Sequence, residues 1–468
     1  MIDRTSAVVV LGGGPGGYEA AIVAARLGAT VTVIDRDGLG GACVLTDCVP
    51  SKTLISTAQF MSALGAARVL GVELHGETAA RGHAARPASA DLAAVNERIL
   101  ALARAQSGDI LALLQTNGVR VCRGVGTLLG PRQVRVDFEG GGTEELAADV
   151  VLVATGATPR ETGAARADGE RILTWTQLYA MRELPERIVV VGSGVTGAEL
   201  AHAYLALGSE VVLVSSRDRV LPGEDADAAN VVEDVFRRNG MQVLNRSRMA
   251  SVERGGPGVR VHLEDGRVVD GSHALLALGS VPQTRGLGLE EAGVQLSASG
   301  HVAVDGVSRT SVPGVYAAGD CTGVLPLASV AAMQGRIAMW HALGDAVAPL
   351  NLGVVSANVF TDPEIATVGT SQRAIDDGRV QARAVTLPLA TNPRAKMDGF
   401  QDGFVKVFAR QGTGTVVGGV VVAPRASELI FPVALAVQHA LTVDQLASTF
   451  TVYPSMSGSI AEAARRLH

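Results

Sequence analysis

The strongest constraint on this chain is a unit that it contains twice: an apolar strand, a glycine turn, an Ala-rich helix and a second strand. The first copy runs Ala7-Val8-Val9-Val10-Leu11, then Gly12-Gly13-Gly14-Pro15-Gly16-Gly17, a helical stretch Tyr18 to Leu27, and Thr30-Val31-Thr32-Val33-Ile34 ending at Asp35. The second runs Arg187 to Val191, Gly192-Ser193-Gly194-Val195-Thr196-Gly197, helical Ala198 to Leu207, and the strand Glu210 to Val214. Glycines in such a unit permit a tight turn and close approach of backbone to a pyrophosphate. The helix N-terminus faces the phosphate charge, and an acid such as Asp35 accepts from a ribose hydroxyl. Two units imply two nucleotides, the number needed by an enzyme that passes electrons from a nicotinamide to a flavin.

The remaining composition narrows the class. A length of 468 residues predicts about three domains, and 47% hydrophobic against 18% charged residues excludes disorder. The chain has no run of about 18 uncharged apolar residues, so no membrane insertion is expected. Its 56 glycines have no three-residue period, which excludes collagen. A net charge of −6 with scattered basic residues argues against nucleic acid or anionic lipid as the main partner. Four cysteines are too few for a secreted disulfide scaffold. Met1-Ile2-Asp3-Arg4 leads into the first strand without the order of a signal peptide, so a cytoplasmic protein is expected.

Between the two units, Ser56 to Gln115 has a helical pattern, interrupted at Gly76 to Ser89 by a Gly/Pro/Ala-rich loop. Val119 to Gly126, Val134 to Phe138 and Val150 to Ala154 read as strands. Val259 to Leu263 and His273 to Leu278 read as remaining strands of the second unit. From Leu350 onward, strands at Phe404 to Phe408 and Thr415 to Val422 mix with helices at Glu428 to His439 and Val443 to Ser448. This stretch has no nucleotide motif and reads as a third domain.

Soon after Asp35 comes Gly40-Gly41-Ala42-Cys43-Val44-Leu45-Thr46-Asp47-Cys48-Val49-Pro50-Ser51-Lys52. Two cysteines near a flavin-type nucleotide unit suit a dithiol/disulfide couple; the alternatives are buried small side chains or half of a metal site. Metal is disfavoured because no second ligand cluster accompanies them. The segment resembles the redox-active stretch of the pyridine nucleotide-disulfide oxidoreductases, which include dihydrolipoamide dehydrogenase and glutathione reductase. Val151 to Pro159 is similar to that family's crossing between FAD and NAD(P) domains. Thr310 to Asp320 is similar to its second FAD motif, and Leu327 and Ala328 match the segment beside the flavin. Val359 to Glu364 and Asn392 to Lys396 resemble marks of its C-terminal dimerisation domain.

The resemblance implies an α/β chain with two Rossmann-like dinucleotide-binding domains, for FAD and NAD(P), and an α+β C-terminal dimerisation domain. It places a discontinuous FAD-binding domain at 1–160 and 285–347, the NAD(P)-binding domain at 161–284 and the dimerisation domain at 348–468. Cys48 would face the flavin, Cys43 would be the interchange thiol, and Lys52, paired with Glu199, would sit near the flavin's reactive edge. FAD contacts would come from Gly12, Gly14, Pro15, Gly16, Gly17, Asp35, Gly41, Ala42, Cys43, Lys52, Gly126, Ala154, Thr155, Gly156, Gly319, Asp320, Leu327 and Ala328. Contacts to NADPH or NADH would come from Gly192, Gly194, Gly197, Glu199, Ser215, Ser216, Arg217 and Gly279. No metal is implied, and a homodimer is.

One part of the pattern is broken. The disulfide reductases carry a C-terminal H-P-T-x-S-E segment whose histidine, oriented by the glutamate, is acid and base for the interchange thiol. This chain has Tyr453-Pro454-Ser455-Met456-Ser457-Gly458, with tyrosine and glycine at those two positions. A positioned base is worth about 10²–10⁴-fold, and an unperturbed tyrosine is only about 0.1% ionised at pH 7. His439 and His468 are the nearby histidines that would have to substitute. Without the base, reduced flavin passes electrons to a diffusible oxidant, and a quinone is the obvious class. The segment Gly41 to Pro50 likewise resembles that of the NAD(P)H quinone dehydrogenases of this family, once taken for lipoamide dehydrogenases. The expectation is an FAD-dependent NAD(P)H:quinone oxidoreductase. The alternatives are a disulfide reductase of the dihydrolipoamide dehydrogenase type or a weakly active redox-sensing flavoprotein.

The nicotinamide is read from the end of the second unit's last strand, where NADH enzymes place a carboxylate. Here Val214 is followed by Ser215-Ser216-Arg217, and Arg217 can bind a 2′-phosphate bidentately. NADPH is the expected donor, with NADH tolerated.

Overall fold

The structure, a computed structural model, describes residues 5–73 and 88–468. Met1 to Arg4 and the Gly76 to Ser89 loop up to residue 87 lie outside the described residues. The chain divides into two compact units: residues 1–51, 96–160 and 279–350 form one, and residues 52–95, 161–278 and 351–468 form the other.

Among the described residues, the first unit is built on a seven-stranded sheet. The strand Ala7–Leu11 sits inside it, parallel to Thr30–Asp35 on one side and Val150–Val153 on the other, with Val315–Ala317 beyond the latter. Arg120–Gly130 pairs parallel with Thr30–Asp35 and then leads an antiparallel meander through Gln133–Phe138 and Thr143–Ala147. Val8 to Leu11 and Val150 to Val153 are all buried. Continuous apolar runs of this kind suit parallel strands covered on both faces. The helix Pro15–Arg26 starts with proline in its first turn, where a missing N–H costs nothing. It packs against Ala328–Ala342 through small residues: a Cβ on Gly335 would lie 2.1 Å from the Gly16 carbonyl oxygen. The pair Ala157–Pro159 and Ser280–Pro282 forms a two-stranded antiparallel ribbon.

The second unit contains a five-stranded parallel sheet in the order Gln242–Leu244, Glu210–Val214, Arg187–Val191, His273–Leu276, Ile172–Thr174. Val259–Leu263, expected in this sheet, instead joins Met249–Gly255 and Val268–Gly271 in a separate antiparallel sheet. An apolar strand pattern reports burial but not the partner strand, which is why that assignment failed. The helical stretch read from Ser56 to Gln115 resolves into Cys48–Ala66 and Leu92–Thr116. In the C-terminal part, five antiparallel strands run Ser356–Val359, Glu364–Gly369, Val416–Ala423, Phe404–Arg410, Ala382–Pro388. The single helix expected over Glu428 to His439 is two, Ala426–Leu429 and Phe431–Gln438. Pro432 has no N–H to give the preceding turn.

Candidate active site

The glycine loops of the two units share one geometry, and that geometry separates three roles. Gly12 and Gly192, at φ +101° and +114°, leave no room for a side chain: a Cβ would lie 2.3 Å from the Ala154 carbonyl oxygen in the first and 2.2 Å from that of Ala277 in the second. Gly17 and Gly197 carry the helix tightly over the turn, since a Cβ there would lie 1.9 Å from Gly12 O and 1.8 Å from Gly192 O. The chain's own packing therefore demands the first and third glycines. The middle ones differ: a Cβ on Gly14 would meet only the Gly41 Cα at 4.0 Å, and one on Gly194 would meet nothing within 4 Å. Each middle glycine caps a helix N-terminus, where unpaired N–H groups favour an anion.

Asp35 ends the second strand of the first unit. Its carboxylate accepts from the N–H groups of Gly13 (2.6 Å), Asp37 (2.9 Å) and Gly38 (2.6 Å). Gly41, at φ +56°, lies against Gly14, with 2.9 Å from its built Cβ to the Gly14 Cα. It opens the short helix Gly41–Leu45 that holds Cys43, and Cys48 opens the helix Cys48–Ala66. Both sulfur-bearing residues are half-buried. Gly156 and Gly279, at φ +70° and +81°, each precede one strand of the two-stranded ribbon. The Gly156 carbonyl accepts from the Gln283 N–H at 3.0 Å, and Thr155 Oγ1 donates to the Gln283 carbonyl at 2.6 Å. Ala154 is buried at the end of its strand, and Gly126 is fixed by packing, with a built Cβ 2.4 Å from Leu11 Cδ2. Gly319, at φ +83°, donates to Gln334 Oε1 at 2.9 Å and presents Asp320, whose carboxyl burial pushes above its ordinary range. Leu327 and Ala328 lie at the start of the helix Ala328–Ala342.

In the second unit, Glu199 is 2% exposed on the helix Val195–Leu207. Its Oε2 takes the Lys52 ammonium at 2.8 Å and its Oε1 accepts from the Phe360 N–H at 2.9 Å. The Lys52 Nζ stands 5.0 Å from the centroid of the Phe360 ring. The family resemblance pairs Lys52 with Glu199 but is silent on Phe360, whose N–H reaches Glu199 across 161 residues and leaves no local signal. Ser215 is buried, whereas Ser216 and Arg217 are exposed.

Tyr453 is 82% exposed, and Gly458 begins the helix Gly458–Arg465 without a side chain to orient anything. His439 is exposed and His468 bonds Asp444 at 2.6 Å. Among the described residues there is no cluster able to hold a metal ion and no helix long and apolar enough to cross a membrane.

Paired dinucleotide loops and a cysteine pair define a class, and comparison with known proteins gives the same one. The chain matches the pyridine nucleotide-disulphide oxidoreductases over residues 6–335 and the dimerisation domain of those proteins over 355–464, and it belongs to that family. The family uses FAD and NAD(P)H, and the chain has its mixed α/β fold. Among individual proteins, the NAD(P)H dehydrogenase (quinone) of Mycobacterium tuberculosis strain H37Rv is 55% identical over 476 aligned residues, spanning 100% of this chain and 94% of that protein. The dihydrolipoyl dehydrogenase of Chlorobaculum tepidum is 32% identical over 465 residues, spanning 98% of this chain and 96% of that protein. The crystal structure of LpdA from Mycobacterium tuberculosis superposes with a TM-score of 0.93 at 54% identity, covering 99% of this chain and 100% of that one.

Proposed function

We propose that this chain is an FAD-dependent oxidoreductase that passes electrons from NADPH, or less well from NADH, to a quinone or similar small oxidant. The observation that carries the reading is the pair Tyr453 and Gly458, which stand where a disulfide reductase needs a histidine and the glutamate that orients it. The name of the 55% identical relative agrees. FAD, when bound, relays electrons from the nicotinamide to the acceptor. Gly12, Gly14, Gly17, Asp35, Gly41, Gly319 and Asp320 hold it, and the room left at Gly14 supports that assignment. Gly192, Gly194, Gly197, Ser216 and Arg217 hold the nicotinamide nucleotide, on the same argument from Gly194. Lys52, fixed by Glu199 and Phe360, serves the hydride route. The domain assignment follows: FAD at 1–160 and 285–347, NAD(P) at 161–284, and dimerisation at 348–468.

Cys43 and Cys48 then form a redox couple that modulates turnover without carrying it. The double substitution Cys43→Ser/Cys48→Ser is expected to keep naphthoquinone reduction within about 3-fold, because direct transfer spares the barrier that a thiol base would have to lower. Loss of all quinone reduction with FAD and fold retained would overturn direct transfer. The relatives named dihydrolipoyl dehydrogenase favour a second reading, a disulfide reductase. It requires fast reoxidation by lipoamide or glutathione disulfide when the NADPH-reduced holoenzyme is offered each acceptor in stopped flow.

A homodimer in the cytoplasm completes the proposal. The matched dimerisation domain supports the dimer, as do the exposed apolar side chains Phe450 (102%), Val452 (78%) and Phe431 (62%) within it. Sedimentation is expected to give twice the 48.0 kDa chain mass, and a monomer at micromolar concentration would contradict it. Four cysteines in 468 residues support a reducing compartment.

A further inference from the structure

The first unit ends its second strand with Asp35, and the second unit has Ser215 at the equivalent place. The Ser215 hydroxyl is turned into the protein: it lies 2.6 Å from Ser193 Oγ, accepts from the Arg217 N–H at 3.2 Å, and belongs to a residue with 0% exposure. A hydroxyl engaged in this way has little left for a ribose. Recognition at this strand end therefore passes to exposed side chains nearby.

The neighbouring parallel strand, Gln242–Leu244, ends alongside, and three backbone bonds tie the two ends together. The Ser215 N–H donates to the Leu244 carbonyl at 2.9 Å, the Arg246 N–H to the Arg217 carbonyl at 2.7 Å, and the Ser247 N–H to the Ser215 carbonyl at 2.7 Å. Arg246 is thus held beside Arg217 at the carboxyl ends of parallel strands, where α/β sheets bind ligands. It is exposed, and its φ of 52° lies in the left-handed region, a conformation rare for residues other than Gly, Asn and Asp. Other arginines of this unit meet carboxylates: Arg237 lies 2.7 Å from Glu233, and Arg254 lies 3.2 Å from Asp168. Among the described residues, neither Arg217 nor Arg246 has an ion pair. The one carboxylate adjoining them in sequence is the exposed Asp218.

We infer that Arg246 is a second phosphate-binding arginine, closing with Arg217 on the 2′-phosphate of NADPH. This rests on the reading of the second unit as the NADPH site. A phosphate monoester offers three oxygens to donors, and two guanidinium groups can each engage it bidentately.

The test uses the FAD-loaded enzyme, with NADPH and NADH as donors and 2′,5′-ADP as a competing probe. Arg246→Asn removes the charge while suiting the left-handed backbone. It is expected to raise the KM for NADPH and the inhibition constant for 2′,5′-ADP about 10-fold, the usual scale for a hydrogen bond to a charged group, with the KM for NADH moving less than about 2-fold. Arg246→Lys should recover part of the loss. Equal effects on both donors, or none on either, would overturn the assignment to Arg246. If the wild-type enzyme instead prefers NADH and 2′,5′-ADP does not compete with NADPH, the NADPH reading itself fails.

Discussion

Alanine at Gly197 is expected to lower kcat/KM for NADPH by about 10²-fold or more, the scale set by misplacing a binding element by about 1 Å, while FAD stays bound. The added Cβ would lie 1.8 Å from the Gly192 carbonyl oxygen, a backbone atom that no side-chain rotation can move away. The helix Val195–Leu207 must therefore lift from the turn, and its N-terminus moves with it. Because the strain is internal, the apparent melting temperature should fall as well. Alanine at Gly194 makes the informative contrast. Its Cβ meets nothing within 4 Å, and the residue's φ of −71° and ψ of −173° suit alanine. Stability should stay unchanged while the KM for NADPH rises, since under the proposed function that space is kept for the pyrophosphate of the nicotinamide nucleotide. Thermal melts beside nicotinamide titrations of the two variants read both quantities, and normal NADPH use by both would remove the second glycine unit from the mechanism.

The largest effect on stability is expected at Lys406, a lysine 2% exposed on the strand Phe404–Arg410. Its ammonium meets both carboxylate oxygens of Asp225, at 3.0 and 2.9 Å, and Asp227 Oδ2 at 2.7 Å, and it stands 5.4 Å from the centroid of the Phe404 ring. Asp225 is also the N-cap of the helix Ala226–Arg238, accepting from the N–H groups of Asp227 and Ala228. Lys406→Met leaves that buried carboxylate without its counter-ion, a loss of roughly 3–5 kcal/mol. For a unit of some hundreds of residues this lowers the melting temperature by roughly 6–20 °C. Asp225→Asn added to Lys406→Met should restore part of the stability, because asparagine keeps the cap and removes the stranded charge. A double variant as unstable as the single one would show that the charge pair is not what holds the strand to the helix.

The parts of the fold legible in the sequence are those written locally. Both strand-glycine-helix units lie where their residues place them, because the third glycine of each turn packs on the first, five residues away, and the flanking strands are continuous apolar runs, although the first glycine also meets the distant Ala154 or Ala277 carbonyl. The Lys52–Glu199 pair was legible only through family resemblance, since 147 residues separate the partners. What was missed depends on long-range pairing. Val259–Leu263 has the pattern of a strand without any mark of which sheet it joins. Ile172–Thr174 and Gln242–Leu244, three residues each, are too short for a periodic signal, yet the second of them brings Arg246 to Arg217. Lys406 reads as an ordinary strand lysine until folding brings it to Asp225 across 181 residues.

The two glycine turns also bear on how such a protein can change. Their tightest built distances, 1.9 and 1.8 Å at the third glycine and 2.3 and 2.2 Å at the first, match across two stretches of otherwise different sequence. The strand ends beside them do not match: one carries a carboxylate bonded to three N–H groups, the other a serine turned inward with arginines outside. A duplicated module of this kind has a frame that tolerates almost no variation and a rim that is nearly free to vary. New donor preferences can therefore arise by surface substitution alone, without passing through an unfolded intermediate sequence.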